Sequence, residues 1–344
     1  MELNKIENIF KYVKLRVGNL TKLENELKVR AENCDEEAQH YYKKYDLIKD
    51  YLQENYYPWI HDKCRYFTDH GENHVKSIIL ATSDLLKLQI ESNGLKSVEI
   101  FLLLSSIIWH DVGMIHGRDL HGENVKNVMD KMSFVYDNAT IKNAIVQIVK
   151  AHTGDLALSK VEKEIHISTK YGNYKIYLRS LAALLRFCDE ISENHTRISI
   201  PVLESGEVPD ENRLFWEYAS CITASFPDPR ENTVIIDIRI PVNKVLKKFN
   251  LGGKKIYLVE YIIKRLAKIN SERVYCAPEF RVYVDINSLD VKLSLIDGYD
   301  KVDGFETRIV IDESYYYSII NLTDKFFKEN PLWVPNELKK RLVK

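Results

Sequence analysis

The sequence predicts a mostly α-helical protein whose carboxy-terminal part turns to mixed α and β. Three observations carry this. Between Pro58 and about Pro201, apolar residues recur at intervals of three and four, the period of a helix with one buried face. Within that stretch Val98 to Trp109 is apolar almost throughout, as in a helix buried on all sides. After Pro201 short alternating runs separated by turns take over, the mark of half-buried strands.

The elements divide the 344 residues into three parts. Residues 1–57 form an amino-terminal helical extension on the spacing of Ile6, Phe10, Val13, Val17, Leu20 and Leu27. Such a stripe suits a helical hairpin or the seam of a homodimer, although Gly18 and Asn19 interrupt it and packing onto the protein's own body is favoured. Residues 58–200 form a helical bundle. Its stripes are Val75, Ile78, Ile79, Thr82, Leu85 and Leu86; the buried run 98–109; Ile141, Ile145, Ile148 and Val149; and Leu178, Leu181, Ala182, Leu185 and Cys188. Residues 201–344 form the α+β region. Strands are expected at Cys221–Phe226 and Thr233–Ile240 around Pro227-Asp228-Pro229, and at Phe280–Ile286 and Thr307–Ile311. Helices are expected at Ile256–Ile269 and Ser314–Phe327, with Gly252-Gly253-Lys254-Lys255 as an entry loop.

Net charge is −1, so no global field steers the chain to nucleic acid or to an anionic membrane. A nucleic-acid partner is therefore possible but not favoured. The five cysteines are scattered without a CxxC pair, which gives neither a disulfide framework nor a zinc knuckle. The charged start MELNKIENIF lacks the apolar centre of a signal peptide, and the run 98–109 is too short for a membrane span. The expected location is the cytoplasm.

Six of the ten histidines fall between His70 and His152. His74 precedes Ile78, Ala81 and Leu85 by four, seven and eleven residues, so it lies on a buried stripe. His152 follows Ile148, Ile145 and Ile141 by the same intervals, and Asp189 follows Leu185, Ala182 and Leu178 likewise. His110-Asp111 closes the most buried run. One inward histidine is ordinarily a hydrogen-bonded core residue, and Asp189 could pair with Arg186 or Arg179. A joint pattern on several helices points instead to a shared cation, because unpaired buried carboxylates are strongly disfavoured and imidazole and carboxylate are metal ligands.

The segments DHGENHVKSI (69–78), IIWHDVGMIHG (107–117), KAHTGD (150–155) and LLRFCDEIS (184–192) carry the order His, His-Asp, Asp on successive helices. This resembles the HD-domain superfamily of metal-dependent phosphohydrolases over about residues 60–200, and implies an HD-type helical bundle. By that resemblance His74, His110, Asp111 and Asp189 bind a first metal. Some HD families hold two, which would add His121 and His152 with Asp111 bridging. The commonest two-metal pattern has a second histidine where this chain has Thr153, so both one and two metals stay open. Four imidazoles and two carboxylates without a thiolate suit Mn, Fe, Co, Ni or Zn.

A bound metal lowers the pKa of its water to about 7 and so provides hydroxide for attack on a phosphate ester. The implied reaction is hydrolysis of a phosphoester bond by metal-bound hydroxide, in a small phosphorylated substrate such as a nucleotide or cyclic nucleotide. Asp111 sits at its centre. Lys150 and Arg186 are candidate catalytic cations, with Arg186 able either to face substrate or to neutralise Asp189. Arg118 and Arg197 are candidates for substrate phosphate. His70 and His116 are candidate proton donors or orienting partners, and Asp69 could orient a ring. Rival readings are a single-strand nuclease, a di-iron oxygenase on the same six ligands, and a non-catalytic module stapled by metal.

Overall fold

The computed structural model describes residues 20–33, 35–132, 138–169, 172–312 and 319–342. Ile6, Phe10, Val13 and Val17 of the expected amino-terminal stripe lie outside the described residues. So does residue 34. The chain begins with α1 (Lys22–Glu32) and α2 (Glu36–Asn55). Thr21 caps α1 through a reciprocal box with Glu24, and Asp35 caps α2 by accepting from the amides of Glu37 and Ala38. Leu27 of the predicted stripe is fully buried, and both helices pack on the body of the protein.

The bundle follows as α3 (Tyr57–Lys63), α4 (Glu72–Leu85), α5 (Lys87–Glu91), α6 (Ser97–Trp109), α7 (His121–Lys131), α8 (Ala139–Thr153) and α9 (Leu178–Ile191). All residues of α6 are buried, and α2, α4, α8 and α9 surround it. With the following 3-10 turn Val112–His116, the apolar stretch Ser97–His116 reaches 20 residues and is 94% buried inside the protein. It is thus longer than the run of apolar letters suggested, and it serves as the core helix. Asn138 accepts from two amides at the start of α8, and Gly154 ends that helix at a φ of 88°. The expectation of helix alone fails between α8 and α9, where β1 (Ile165–Thr169) and β2 (Gly172–Ile176) form a hairpin.

The carboxy-terminal part holds α10 (Ile200–Ser205), α11 (Asp210–Cys221), β3 (Ile222–Asp228), β4 (Thr233–Pro241), α12 (Val242–Val245), β5 (Lys248–Leu251), β6 (Lys254–Tyr257), α13 (Leu258–Phe280), β7 (Ser288–Asp297), β8 (Asp300–Ile311), α14 (Ile319–Glu329) and α15 (Pro335–Leu342). The larger sheet has the order β3-β4-β7-β8. Strands β4 and β7 run parallel, which requires a crossover, and the chain between them supplies α13. Among the described residues one core cluster takes in side chains from Leu23 to Leu338, and Leu203, Val208 and Trp216 form a small second one.

Three local expectations change. Phe280–Ile286 is not a strand: Phe280 ends α13, and Val282 is 54% exposed. The strand beside β4 is β7. Pro227 and Asp228 belong to β3, and the chain reverses at residues 229–232, with Asn232 at a φ of 52°. Gly252 and Gly253 form the turn between β5 and β6, both with positive φ (57° and 83°), rather than a helix entry.

Candidate metal and substrate site

Asp111 leaves the carboxyl end of α6 with 5% of its surface exposed, and five imidazoles converge on it. His70 Nδ1 and His110 Nε2 each lie 2.9 Å from its Oδ2, and His74 Nε2 lies 3.7 Å away. His121 Nε2 and His152 Nε2 approach its Oδ1 at 3.2 and 3.7 Å. Asp189 Oδ1 from α9 meets His74 Nε2 at 3.0 Å. The structure therefore brings together all six residues read as ligands, and adds His70. Three overlapping triads are close enough to hold an ion: His70, His74 and Asp111; His74, His110 and Asp189; His110, Asp111 and His152.

The rings are oriented by the backbone. His110, His121 and His152 each direct Nδ1 at the carbonyl three residues earlier: Ile107 at 2.7 Å, Arg118 at 2.8 Å and Val149 at 2.5 Å. Donating Nδ1–H there leaves a lone pair on Nε2, pointed inward. Those lone pairs have nothing suitable to meet. His110 Nε2 is buried without a hydrogen bond although a carboxylate oxygen lies beside it. The Nε2 atoms of His121 and His152 face each other at 3.3 Å. Lone pairs facing lone pairs and a carboxylate need a positive charge between them. Buried His/Asp groups here can bind a metal ion, and the donor set fits a divalent transition metal.

The electrostatics agree. Burial alone would raise the pKa of Asp111, but His110 and His70 beside it hold it well below the usual carboxylate range. Burial would lower His110, yet Asp111 outweighs that and raises it to about 9. His121 is raised against its burial by the same carboxylate. His74 is pushed down to about 3 by burial and by the cationic Arg197. The two carboxylates thus favour positive charge in the cluster, either as a proton on a ring or as an ion shared between rings.

His70, Asp111, His121, His152 and Asp189 of the cluster line a cavity of about 320 Å³. Arg118, Arg186 and Arg197 reach this cavity, whereas Lys150 and His116 are not among its lining residues. Lys150 pairs with Glu123, and His116 is exposed. Neither pairing foreseen for Asp189 forms: Arg179 pairs with Glu279, and Arg186 turns to Glu272. Arg186 donates to both oxygens of Glu272 (2.8 and 3.1 Å) and to Ala151 O (3.3 Å), and lies over the Tyr275 ring. Arg197 is 5% exposed; it donates to Asp69 O and Glu193 and comes within 3.3 Å of His70 Nδ1. Asp69 orients no ring among the described residues: its Oδ1 accepts from the Gly71 amide and its buried Oδ2 meets no donor there. Arg118 makes no ion pair among the described residues and lies 4.9 Å over the Phe67 ring. The Thr153 hydroxyl is used locally, donating to Lys150 O and accepting from Asp155 N.

Sequence reasoning missed one wall. Tyr261, Arg265, Lys268 and Glu272 form one stripe of α13 and line the cavity. Arg265 and Lys268 clamp the two oxygens of Glu190 at 2.8 and 2.9 Å, and Glu272 clamps Arg186. Asn212, Phe215 and Tyr218 of α11 complete the wall. The spacing of four, three and four along α13 was a visible signal; that its partner is α9 was not.

No curated protein and no solved structure matches the chain. A family model described as HD-CE matches residues 64–268. The match covers more than half of the chain and spans both the His/Asp cluster and most of the α13 wall. The chain belongs to the HD-CE family.

Proposed function

We propose that the protein is a metal-dependent phosphohydrolase that cleaves a phosphoester bond in a small nucleotide-like substrate. The observation that carries this reading is the convergence of inward Nε2 lone pairs on one buried carboxylate that lines a cavity with arginines in its wall. His74, His110, Asp111 and Asp189 would hold one ion. His121, His152 and the second oxygen of Asp111 would hold another. The division of Asp111 supports two positions, since Oδ2 faces His70, His74 and His110 while Oδ1 faces His121 and His152. When bound, a divalent ion supplies a water-derived nucleophile near neutral pH and polarises a phosphoryl oxygen.

The chain's own residues supply the rest. Arg118, with no carboxylate partner, is the cation best able to meet a phosphoryl oxygen. Arg186 and Arg197 are already tied to Glu272 and Glu193, so they shape the wall and fix its charge. His70, on Asp111 and half-buried at the cavity, is placed to hand a proton to a leaving oxygen. A cavity of about 320 Å³ suits a small ester. A cytoplasmic setting suits the four described cysteines, all free and buried.

The test is metal analysis of the purified protein together with a screen of nucleotides and phosphodiesters under Mn, Fe, Co, Ni and Zn. Turnover that needs the metal and disappears in Asp111→Ala, with the fold intact, is expected. Metal-independent turnover, or full activity in that variant, rejects the reading.

A further inference from the structure

The His/Asp cluster accounts for only part of the cavity's lining. The part that α11 and α13 contribute has a different chemistry. Phe215, Tyr218 and Tyr261 line it, and Tyr261 makes edge contacts with the other two, at 5.9 Å and 81° to Phe215 and at 5.5 Å and 89° to Tyr218. Tyr218 and Tyr261 are buried, so Tyr261, itself backed by Tyr218, braces the Phe215 ring, which remains 39% exposed. A large aromatic ring that is braced from behind and open in front offers a stacking face.

Two further features point to the ligand. Asn212 lies one helical turn before Phe215 on α11 and lines the same cavity. Its side-chain amide makes no hydrogen bond among the described residues, so it can donate and accept at once. Phe67 lines the same cavity, with Arg118 over its face. Trp216 Nε1 donates to Tyr66 O at 2.9 Å and thereby pins the helix of Phe215 to the segment of Phe67. An open aromatic face beside a free amide suits a planar ring bearing adjacent donor and acceptor groups.

We infer that the α11 wall of the cavity takes the planar heteroaromatic ring of the substrate, with Phe215 stacking on it and Asn212 reading its edge. The ligand class is a nucleoside carrying phosphate at its other end. This rests on the phosphohydrolase reading for the phosphate end only. A volume of about 320 Å³ has room for such a ring system.

The test uses the full-length protein and free nucleosides, which have no ester to cleave. Dissociation constants for adenosine, guanosine, cytidine and uridine are measured by NMR titration, with ribose as the comparison. At least one nucleoside is expected to bind about tenfold more tightly than ribose. Phe215→Ala should weaken that nucleoside about fivefold or more, the loss of one stacking contact. Asn212→Ala should shrink the difference between the best and worst of the four nucleosides. Phe215 and Asn212 both reach solvent, so both variants should fold, which circular dichroism checks. Equal binding of ribose and every nucleoside, or wild-type nucleoside affinity in a folded Phe215→Ala, overturns the inference. Nucleoside binding in a preparation that hydrolyses no phosphoester supports it while rejecting the hydrolase reading.

Discussion

His121 Nε2 and His152 Nε2 stand 3.3 Å apart, each with its other ring nitrogen against a main-chain carbonyl. Two Nε2 lone pairs held this way repel unless a proton or a metal ion joins them. His121→Ala should therefore lower the metal content of the purified protein, from two ions per chain to one if both positions fill. His110→Ala should remove more, because its ring belongs to two of the three closest triads. Elemental analysis of the two variants checks the order, and equal metal content in His121→Ala and wild type would refute it.

Arg118 is the cavity arginine without a carboxylate partner among the described residues, whereas Lys150 pairs with Glu123. Removing a cation that meets a phosphoryl oxygen should cost about 2 kcal/mol, or some thirtyfold in kcat/KM. Lys150→Ala should cost far less. Steady-state kinetics on p-nitrophenyl phosphate with saturating metal compares them, and the reverse order would show the cation roles to be misassigned.

Thr153 occupies the place where a second histidine would stand, and its hydroxyl serves the backbone of its own turn. Thr153→Val should leave metal content unchanged and cost about 1 kcal/mol of stability from the lost hydrogen bonds. Thermal melting with elemental analysis gives both numbers. Loss of metal from a folded Thr153→Val protein would mean that the hydroxyl is a ligand after all.

Glu24 ties α1 to α2. It is 3% exposed and accepts from Thr21 N, Tyr45 Oη and Lys49 Nζ. Burial alone would raise its pKa, but Lys49 and the other donors bring it below the ordinary 4.5. A depressed carboxylate stabilises the fold above its unfolded pKa, and that contribution fades as pH falls through the folded value. Glu24→Gln should thus be less stable than wild type at pH 7, with the gap closing toward pH 3. Melting curves at several pH values follow it; a gap that stays constant would contradict the assignment.

Much of the site could be read from the letters. His74, His152 and Asp189 lie on stripes whose apolar members are buried, as their spacing required. The alternation of Phe280, Val282, Val284 and Ile286 misled, because a strand needs a neighbour to bond with and that place beside β4 went to β7. Leu289, Val291, Leu293 and Leu295 alternate just as clearly and are buried. Alternation shows that a segment can be a strand; pairing decides which one is.

The sequence by itself determined which helices carry ionisable residues on their inner faces, because helical periodicity is local and each stripe reads without reference to the others. Only the tertiary structure decided which cations remain available. Arg186 is spoken for by Glu272 and Arg265 by Glu190, pairs separated by 86 and 75 positions in the chain. Charges that far apart along the chain meet only once α13 packs against α9, and the same packing supplies the aromatic wall that no bundle motif announced.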